Sequence, residues 1–364
     1  MPVAPLSRVS PSRFHLFREC KLRACLESNK VPKLLPLSPS ARCGTVIHRI
    51  MEKVGRGEIV AGEDFPKIWN EFIEAEENRM ILSWIDRPLV PLEKSTPEFQ
   101  LKKYQCQLAV ESRSGRTQSI ETRSLPRKTK KHEVWLETQD GTVGGYVDAI
   151  LSTDHGEIIV DYKTGHWVRT KAFRSETNRI HEDQLKLYAA LYYKAYDKWP
   201  LRLEIIGIDG SINEVEFTQD ACFNLLDEAN NFRTYVNQII SDESDPIEIQ
   251  RKLSNPDPMI CRSCLHRPAC TFYWEHRDKN PELKWPNDAI GVLKEKKFLG
   301  NNLILVKLSN SMANSGITAI RGLHRERHPA LENRSNRHAI FSMASDRMED
   351  HFKEGQLTTI YCVR

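Results

Sequence analysis

No stretch of the 364-residue chain approaches the roughly 18–20 consecutive apolar residues of a membrane span. Its first residues, MPVAPLSRVSPSRFHLFREC, lack both a long apolar core and a small-residue cleavage site, so they do not read as an export signal. A cytoplasmic protein with no membrane partner is expected. There is no internal repeat and no low-complexity tract, so a repeat architecture is not expected. An excess of one charge sign is nearly absent too. The 53 Lys and Arg against 49 Asp and Glu leave +4, and the bulk balance selects no partner class. What remains is ordinary globular composition, 40% hydrophobic with a mean hydropathy of −0.52. The length suits two domains, since single cores rarely grow beyond about 250–300 residues. Nine cysteines in a reducing compartment do not read as disulfides. Cys25, Cys43, Cys106, Cys222 and Cys362 are scattered and read as packing residues; the other four form a pattern.

Periodicity divides the chain. To about Gly57 it reads as helix, loop and helix, with Ile47, Ile50, Met51 and Val54 on one stripe of TVIHRIMEKV. A second helical region runs from about Glu63 to Val110. Between Ser112 and Lys131 lie seven Lys or Arg and one acid. This run is either a solvated loop or a phosphate-facing insertion carrying Arg127, Lys128, Lys130 and Lys131. HEVWLET, TVGGYVDAIL and EIIVDYK then read as strands parted by the turns QDG and STDHG. HEDQLKLYAALYYKAY is a helix, LRLEIIGID and INEVEF are strands, and TQDACFNLLDEANNFRTYVNQII is a long amphipathic helix. The order predicts an α/β core of helices on a mixed sheet over residues 1–276. Residues 277–286 read as a linker. Beyond it, DAIGVLKEKKF, NLILVKLSN, GITAIRG, HAIFS and LTTIYCV are five short strands, with DRMEDHFKEG a helical or turn segment before the last. Residues 287–364 therefore suit a small OB-fold-like β-barrel, or else an accessory sheet that covers the core.

The stretch GYVDAILSTDHGEIIVDYKTG, from Gly145 to Gly165, places an aspartate in each arm of a hairpin. Strand side chains alternate, so Glu157, Ile159, Asp161 and Lys163 share one face. The preceding strand, antiparallel and joined by a short turn, brings Asp148 across from Asp161. Two carboxylates and an ammonium then converge. Carboxylates at that separation repel and are costly to bury, and a divalent cation removes the conflict. Oxygen ligands of this kind suit Mg²⁺ or Mn²⁺. The bare pattern also fits a local Asp161–Lys163 surface pair with Asp148 as a turn acid.

GYVDAI followed by IIVDYKTG resembles the active-site hairpin of the PD-(D/E)XK nucleases, in their RecB-like branch. GTVIHRIME is similar to that branch's upstream motif, which implies that His48 is a metal ligand that Glu52, one turn later, supports. QLKLY, Gln184 to Tyr188, matches its QxxxY motif, in which i and i+4 share a helix face; without the motif, Tyr188 would read as a core residue. The resemblance implies that His48, Asp148, Asp161 and the backbone carbonyl of Tyr162 hold one or two Mg²⁺ or Mn²⁺ ions. It implies that Lys163 orients or activates the attacking water and stabilises phosphorane charge, while Gln184 and Tyr188 position the strand or the ligands.

CRSCLHRPAC sets Cys261, Cys264 and Cys270 in a C-x2-C-x5-C cluster, one ligand short of a closed soft-metal site. Spacing does not separate zinc, with four cysteines or with His266 as the fourth ligand, from iron. SPSRFHLFREC, ending at Cys20, is similar to the segment that supplies the missing cysteine in AddB-like and CRISPR-adaptation nucleases, where one early and three late cysteines hold a 4Fe-4S cluster. The resemblance implies Cys20 as fourth ligand, with Cys25 its rival, and a cluster that staples residue 20 to residue 261. It covers about residues 10 to 275.

The expected activity is that of a Mg²⁺- or Mn²⁺-dependent deoxyribonuclease, an exonuclease on single-stranded or ended DNA in repair, recombination or anti-phage defence. A helicase or another repair or defence protein is the expected protein partner. The alternative is a non-catalytic DNA-binding or helicase-accessory subunit of the same fold; an RNA nuclease or a sequence-specific restriction enzyme is a third. In RGLHRERHPALENRSNRH, Arg325, Arg327, Arg334 and Arg337 are candidate phosphate contacts.

Overall fold

Each of the first long helices starts on a side-chain cap. Ser38 accepts a hydrogen bond from the Ala41 N–H, with Pro39 in the first turn, and opens a helix over Pro39–Gly55. Asp64 accepts from the Lys67 N–H and opens another over Phe65–Ile81. The computed structural model describes residues 3–60, 64–114, 127–163, 176–310, 315–332, 336–348 and 350–363. In chain order its helices are α1 (Phe14–Glu19), α2 (Lys21–Ser28), α3 (Pro39–Gly55), α4 (Phe65–Ile81), α5 (Leu92–Ser95) and α6 (Phe99–Ser114). Then come β1 (Arg127–Glu137), β2 (Gly144–Thr153), β3 (Gly156–Lys163), α7 (Glu176–Tyr196), β4 (Arg202–Gly207), β5 (Ile212–Glu214), α8 (Gln219–Asp242), α9 (Pro246–Leu253), α10 (Pro258–Arg262) and α11 (Thr271–Lys279). The apolar stripe of α3, Ile47, Ile50, Met51 and Val54, is buried as its spacing predicts.

The first sheet has the order β1-β2-β3-β4-β5. Its hairpins are antiparallel, and α7 carries the chain over to β4, which runs parallel to β3. Leu185, Leu187 and Leu191 of α7 share one buried core with Ile159 of β3 and with Leu225 and Leu226 of α8. This is the expected mixed α/β arrangement of helices on a sheet. One expectation needs correcting. The basic run is not a loop up to Lys131, because β1 begins at Arg127 and its Lys131 pairs with Ile150 of β2. Backbone pairing with a buried neighbour outweighs the loop-like composition.

The C-terminal segment forms β6 (Ala289–Phe298), β7 (Leu303–Ser309), β8 (Ile317–His324), β9 (Arg337–Phe341), β10 (Ala344–Ser345), β11 (His351–Lys353) and β12 (Thr359–Cys362). Their order is β10-β11-β8-β7-β6-β9-β12. The five expected strands form, within a larger sheet than the five strands predict. Among the described residues it has seven strands, with β10 and β12 at its two ends. The turn-like DRMEDHFKEG contributes β11 because His351–Lys353 lie parallel to Ala319–Arg321 of β8, a pairing without any local sequence signal. The first half of β6 pairs with β9 and the second half with β7. Gly291 makes this possible, since a Cβ there would fall 1.7 Å from the Ser309 carbonyl oxygen.

Residues 281–284 of the stretch read as a linker are exposed, and its end is packed. Trp285 is buried against Tyr273, and just beyond it Asp288 is an enclosed carboxylate. It pairs with Arg267 at 2.7 Å and accepts hydrogen bonds from the Tyr273 hydroxyl at 2.7 Å and the Ser342 N–H at 2.8 Å. Asp288→Ala should destabilise the protein by about 3–5 kcal/mol, because it strands a buried guanidinium. Urea unfolding checks this, and a loss below about 1 kcal/mol would mean that solvent reaches Arg267.

Candidate active site

The hairpin ladder between β2 and β3 ends at Ala149 and Val160. One step further the register sets Asp148 opposite Asp161. There the Asp148 carboxylate takes the place of a backbone acceptor, receiving the Tyr162 N–H at 2.8 Å. Asp161 is only 3% exposed. Its Oδ2 lies 2.7 Å from Lys163 Nζ, and its Oδ1 accepts from Gln184 Nε2 at 3.0 Å. Gln184 also accepts from Lys163 Nζ at 3.4 Å. One turn along α7, the Tyr188 hydroxyl donates to the Tyr146 carbonyl at 2.7 Å. The helix thus reads both strands of the hairpin from one face, which is why the two residues are spaced by four. Tyr188 is a core residue as well, buried apart from this bond.

His48 comes from α3. It lines the same cleft as Asp148, Asp161, Lys163, Gln184 and Tyr188, a space of about 820 Å³. Glu52 is beside His48 in an adjoining pocket, but its carboxylate pairs with Arg56 at 2.7 Å. Burial pushes the Asp161 carboxyl up to about 6. Lys163 pulls it down, Asp148 pushes it up again and His48 lowers it. Burial and repulsion from a neighbouring carboxylate together raise this acid despite its lysine, which is the electrostatic demand a cation would meet. The donor chemistry, two carboxylates and an imidazole, suits Mg²⁺ or Mn²⁺. Among the described residues, no group of three or more His, Cys, Asp or Glu side chains is already placed to hold a metal ion.

The wall of the cleft comes from a segment with no such signal in sequence. Val9 makes a parallel bridge to Val143, with Val9 N–H to the Thr142 carbonyl at 2.9 Å and Gly144 N–H to the Val9 carbonyl at 3.1 Å. Gly145 lets the segment approach, as a Cβ there would meet Pro11, the Tyr188 hydroxyl and Ser10 within 3.3 Å. Two histidines missed by the motif reading feel the charge of the lysine. Burial, and then Arg23 and Lys163, lower His15 to about 4; burial and then Lys163 lower His181 to about 4. Both are therefore neutral at pH 7. The position of His181, one turn before Gln184, was the available signal.

A second cavity is lined by Cys20, Cys261, Cys264, Cys270 and His266. Cys20 is at the α1–α2 junction. The junction is tied to the late cysteines, with Asn255 donating to the Glu19 carbonyl at 2.7 Å and Arg23 donating to Ser263 at 2.9 Å. Burial raises Cys261 to about 12 and Cys270 to about 11, and raises Cys264, with the neighbouring thiols adding to each. His266 faces Glu27 at 3.7 Å. Cys25 is instead fully buried in the main apolar core.

The candidate phosphate contacts fare differently. Arg325 pairs with Glu332 at 2.8 Å, and Arg327 pairs with Glu354. Glu332 in the same loop and Glu354 just after β11 thus engage the two guanidinium groups. Lys131 is exposed on β1 and Arg337 is exposed on β9. The side chains of Arg127, Lys128 and Lys130 are not among those described, and Arg334 lies outside the described residues.

Two carboxylates and a lysine at the open end of a hairpin, read by a Gln and a Tyr from the helix that follows, are the arrangement of a metal-dependent nuclease. The family model of the PD-(D/E)XK nuclease superfamily matches residues 8–271, and the chain belongs to that superfamily. Its members are in general hydrolytic nucleases that use Mg²⁺ or Mn²⁺. No curated protein matches the chain. Among solved structures it is similar to SSO0001, at 16% identity and a TM-score of 0.22, over 39% of this chain and 60% of that one. So loose a superposition decides nothing about function. No helix among the described residues is long and apolar enough to cross a membrane.

Proposed function

We propose that this protein is a Mg²⁺- or Mn²⁺-dependent deoxyribonuclease of the RecB-like branch that hydrolyses single-stranded DNA or DNA with a free end. The observation that carries the reading is the convergence of His48, Asp148, Asp161, Lys163, Gln184 and Tyr188 on one cleft. His48, Asp148, Asp161 and the Tyr162 carbonyl would hold the ion, which when bound supplies Lewis-acid stabilisation of the phosphate and a more acidic water. Lys163, at the rim of the buried carboxylates, orients the attacking water and offsets charge developing on the phosphate. Gln184 holds both Asp161 and Lys163, so it fixes the carboxylate relative to the ammonium. Tyr188 holds β2 to α7. Chemistry resides in residues 1–276; residues 277–286 connect it to a β unit, 287–364, packed against the cysteine region. A repair, recombination or defence pathway with a helicase partner fits this reading.

We assign Cys20, Cys261, Cys264 and Cys270 to a 4Fe-4S cluster, with structural zinc as the competing occupant. Its role is to staple the N-terminal wall of the cleft to the end of the nuclease core.

The test is cleavage of end-labelled single- and double-stranded DNA with Mg²⁺, Mn²⁺ or EDTA. Metal-dependent shortening of the label is expected, and metal-independent retention of intact DNA with tight binding would favour the accessory subunit. A pH dependence follows from Asp161. Because its carboxyl is raised to about 6, protons and cation compete for it below that pH. At sub-saturating Mg²⁺ the rate should fall about tenfold per pH unit below about 6, and a flat profile down to pH 4.5 would remove Asp161 from the ligand set.

A further inference from the structure

Trp135 on β1 and Tyr146 on β2 are directly opposed cross-strand partners. Their rings are 4.8 Å apart at 65°. Both are exposed, at 37% and 59%, and both line the cleft that contains Asp148, Asp161 and Lys163. Large aromatic rings left in water beside buried charges are a surface that a ligand would cover. Their placement is built. Tyr146 is anchored by the Tyr188 bond to its carbonyl, and the Arg8 guanidinium lies 4.7 Å over the Trp135 ring while Glu137 holds it at 3.6 Å. Strand alternation puts Tyr146 on the same face of β2 as Asp148, about 6.6 Å away along the strand at the usual rise of about 3.3 Å per residue. Arg13 and Lys30 line the same cleft, which makes this wall cationic at the points where Glu133 does not offset it.

We propose that Tyr146, braced edge-on by Trp135, is a stacking platform for an unpaired nucleobase of the DNA strand next to the scissile phosphate, with Arg8 and Arg13 facing the strand's backbone. This rests on the nuclease reading and names its substrate class. Every base has a π-face, so such a platform accepts any sequence. A base inside a duplex has both faces covered by its neighbours, so the same platform discriminates in favour of single strands and frayed ends. The nearby cations supply the sequence-independent attraction for phosphate.

The experiment uses the full chain carrying Asp161→Asn, to hold the strand uncut, and an oligothymidylate with one 2-aminopurine. Binding should quench the probe, because stacking quenches it. Adding Tyr146→Ala should weaken binding by about tenfold and abolish the quench, whereas Tyr146→Phe should retain both. In the cleaving protein, the Tyr146→Ala loss should appear in KM. Undiminished affinity in Tyr146→Ala, an equal loss in Tyr146→Phe, or an equal loss on blunt duplex would each overturn the platform. A wild-type protein that cleaves no DNA yet shows the Tyr146-dependent quench would overturn the nuclease reading alone. A cleaving protein indifferent to Tyr146→Ala would overturn the platform alone.

Discussion

Asp161→Asn should lower DNA cleavage by at least about a thousandfold and leave the protein folded and able to bind DNA. The loss follows from removing one of the two carboxylates, Asp148 and Asp161, at the end of the hairpin, on which both the cation and the ordering of Lys163 depend. Folding survives because the amide keeps the shape and the Gln184 bond to Oδ1. The sign of the electrostatics agrees. A carboxyl raised from 3.8 to about 6 in the folded chain binds its proton more tightly there than when unfolded. Without cation, its contribution to stability is present below pH 4 and is lost as pH rises through about 6. At pH 7 the ionised Asp161 is thus a burden that asparagine lacks, so a melting temperature equal to or above wild type is expected. Lys163→Ala should be equally inactive, since Nζ is the cation 2.7 Å from Asp161. Wild-type turnover in either variant would sink the assignment of the cleft.

The other large effect concerns the cysteines. Anaerobically purified protein should be brown and contain iron, and Cys261→Ser should lose both the colour and about 6 °C of melting temperature. A cross-link between residues 20 and 261 closes so long a loop that chain entropy alone gives it about 5 kcal/mol, which scales to that shift in a chain of this size. Cys20→Ser should lose the metal too, because Cys20 lines the cavity of the late three. Cys25→Ser should keep it, because Cys25 is buried in the apolar core. The reverse result would reassign the fourth ligand. A colourless protein with stoichiometric zinc would replace the cluster and leave the staple standing.

Much of this site is legible residue by residue. Alternation along EIIVDYK sets Asp161 and Lys163 on one side, and they are found as an ion pair. The spacing of Gln184 and Tyr188 sets them on one side of α7, and each reaches a different strand of the hairpin. Tyr146 carried the same signal, two residues before Asp148, but a tyrosine in a strand reads as packing until its exposure is known. The basic run misled because it is judged by composition, while the pairing of Lys131 with Ile150 is decided by β2. The ion pairs of the arginines after β8 were equally hidden from composition. Their acids are Glu332 in the same loop and Glu354 just after β11.

By itself the sequence determined most of the longer elements, the hairpin, the QxxxY helix and the cysteine spacing, because each is a periodicity or a spacing within about twenty residues. Only the tertiary structure decided which distant segments close the site. The bridge of Val9 to Val143, the docking of the Cys20 junction by Asn255 and Ser263, the parallel β11–β8 pair and the closing of the Asp288 site by Ser342 all join residues remote in the chain. Such contacts depend on which buried surfaces meet and which polar groups find partners there, and a local pattern carries no record of its partner.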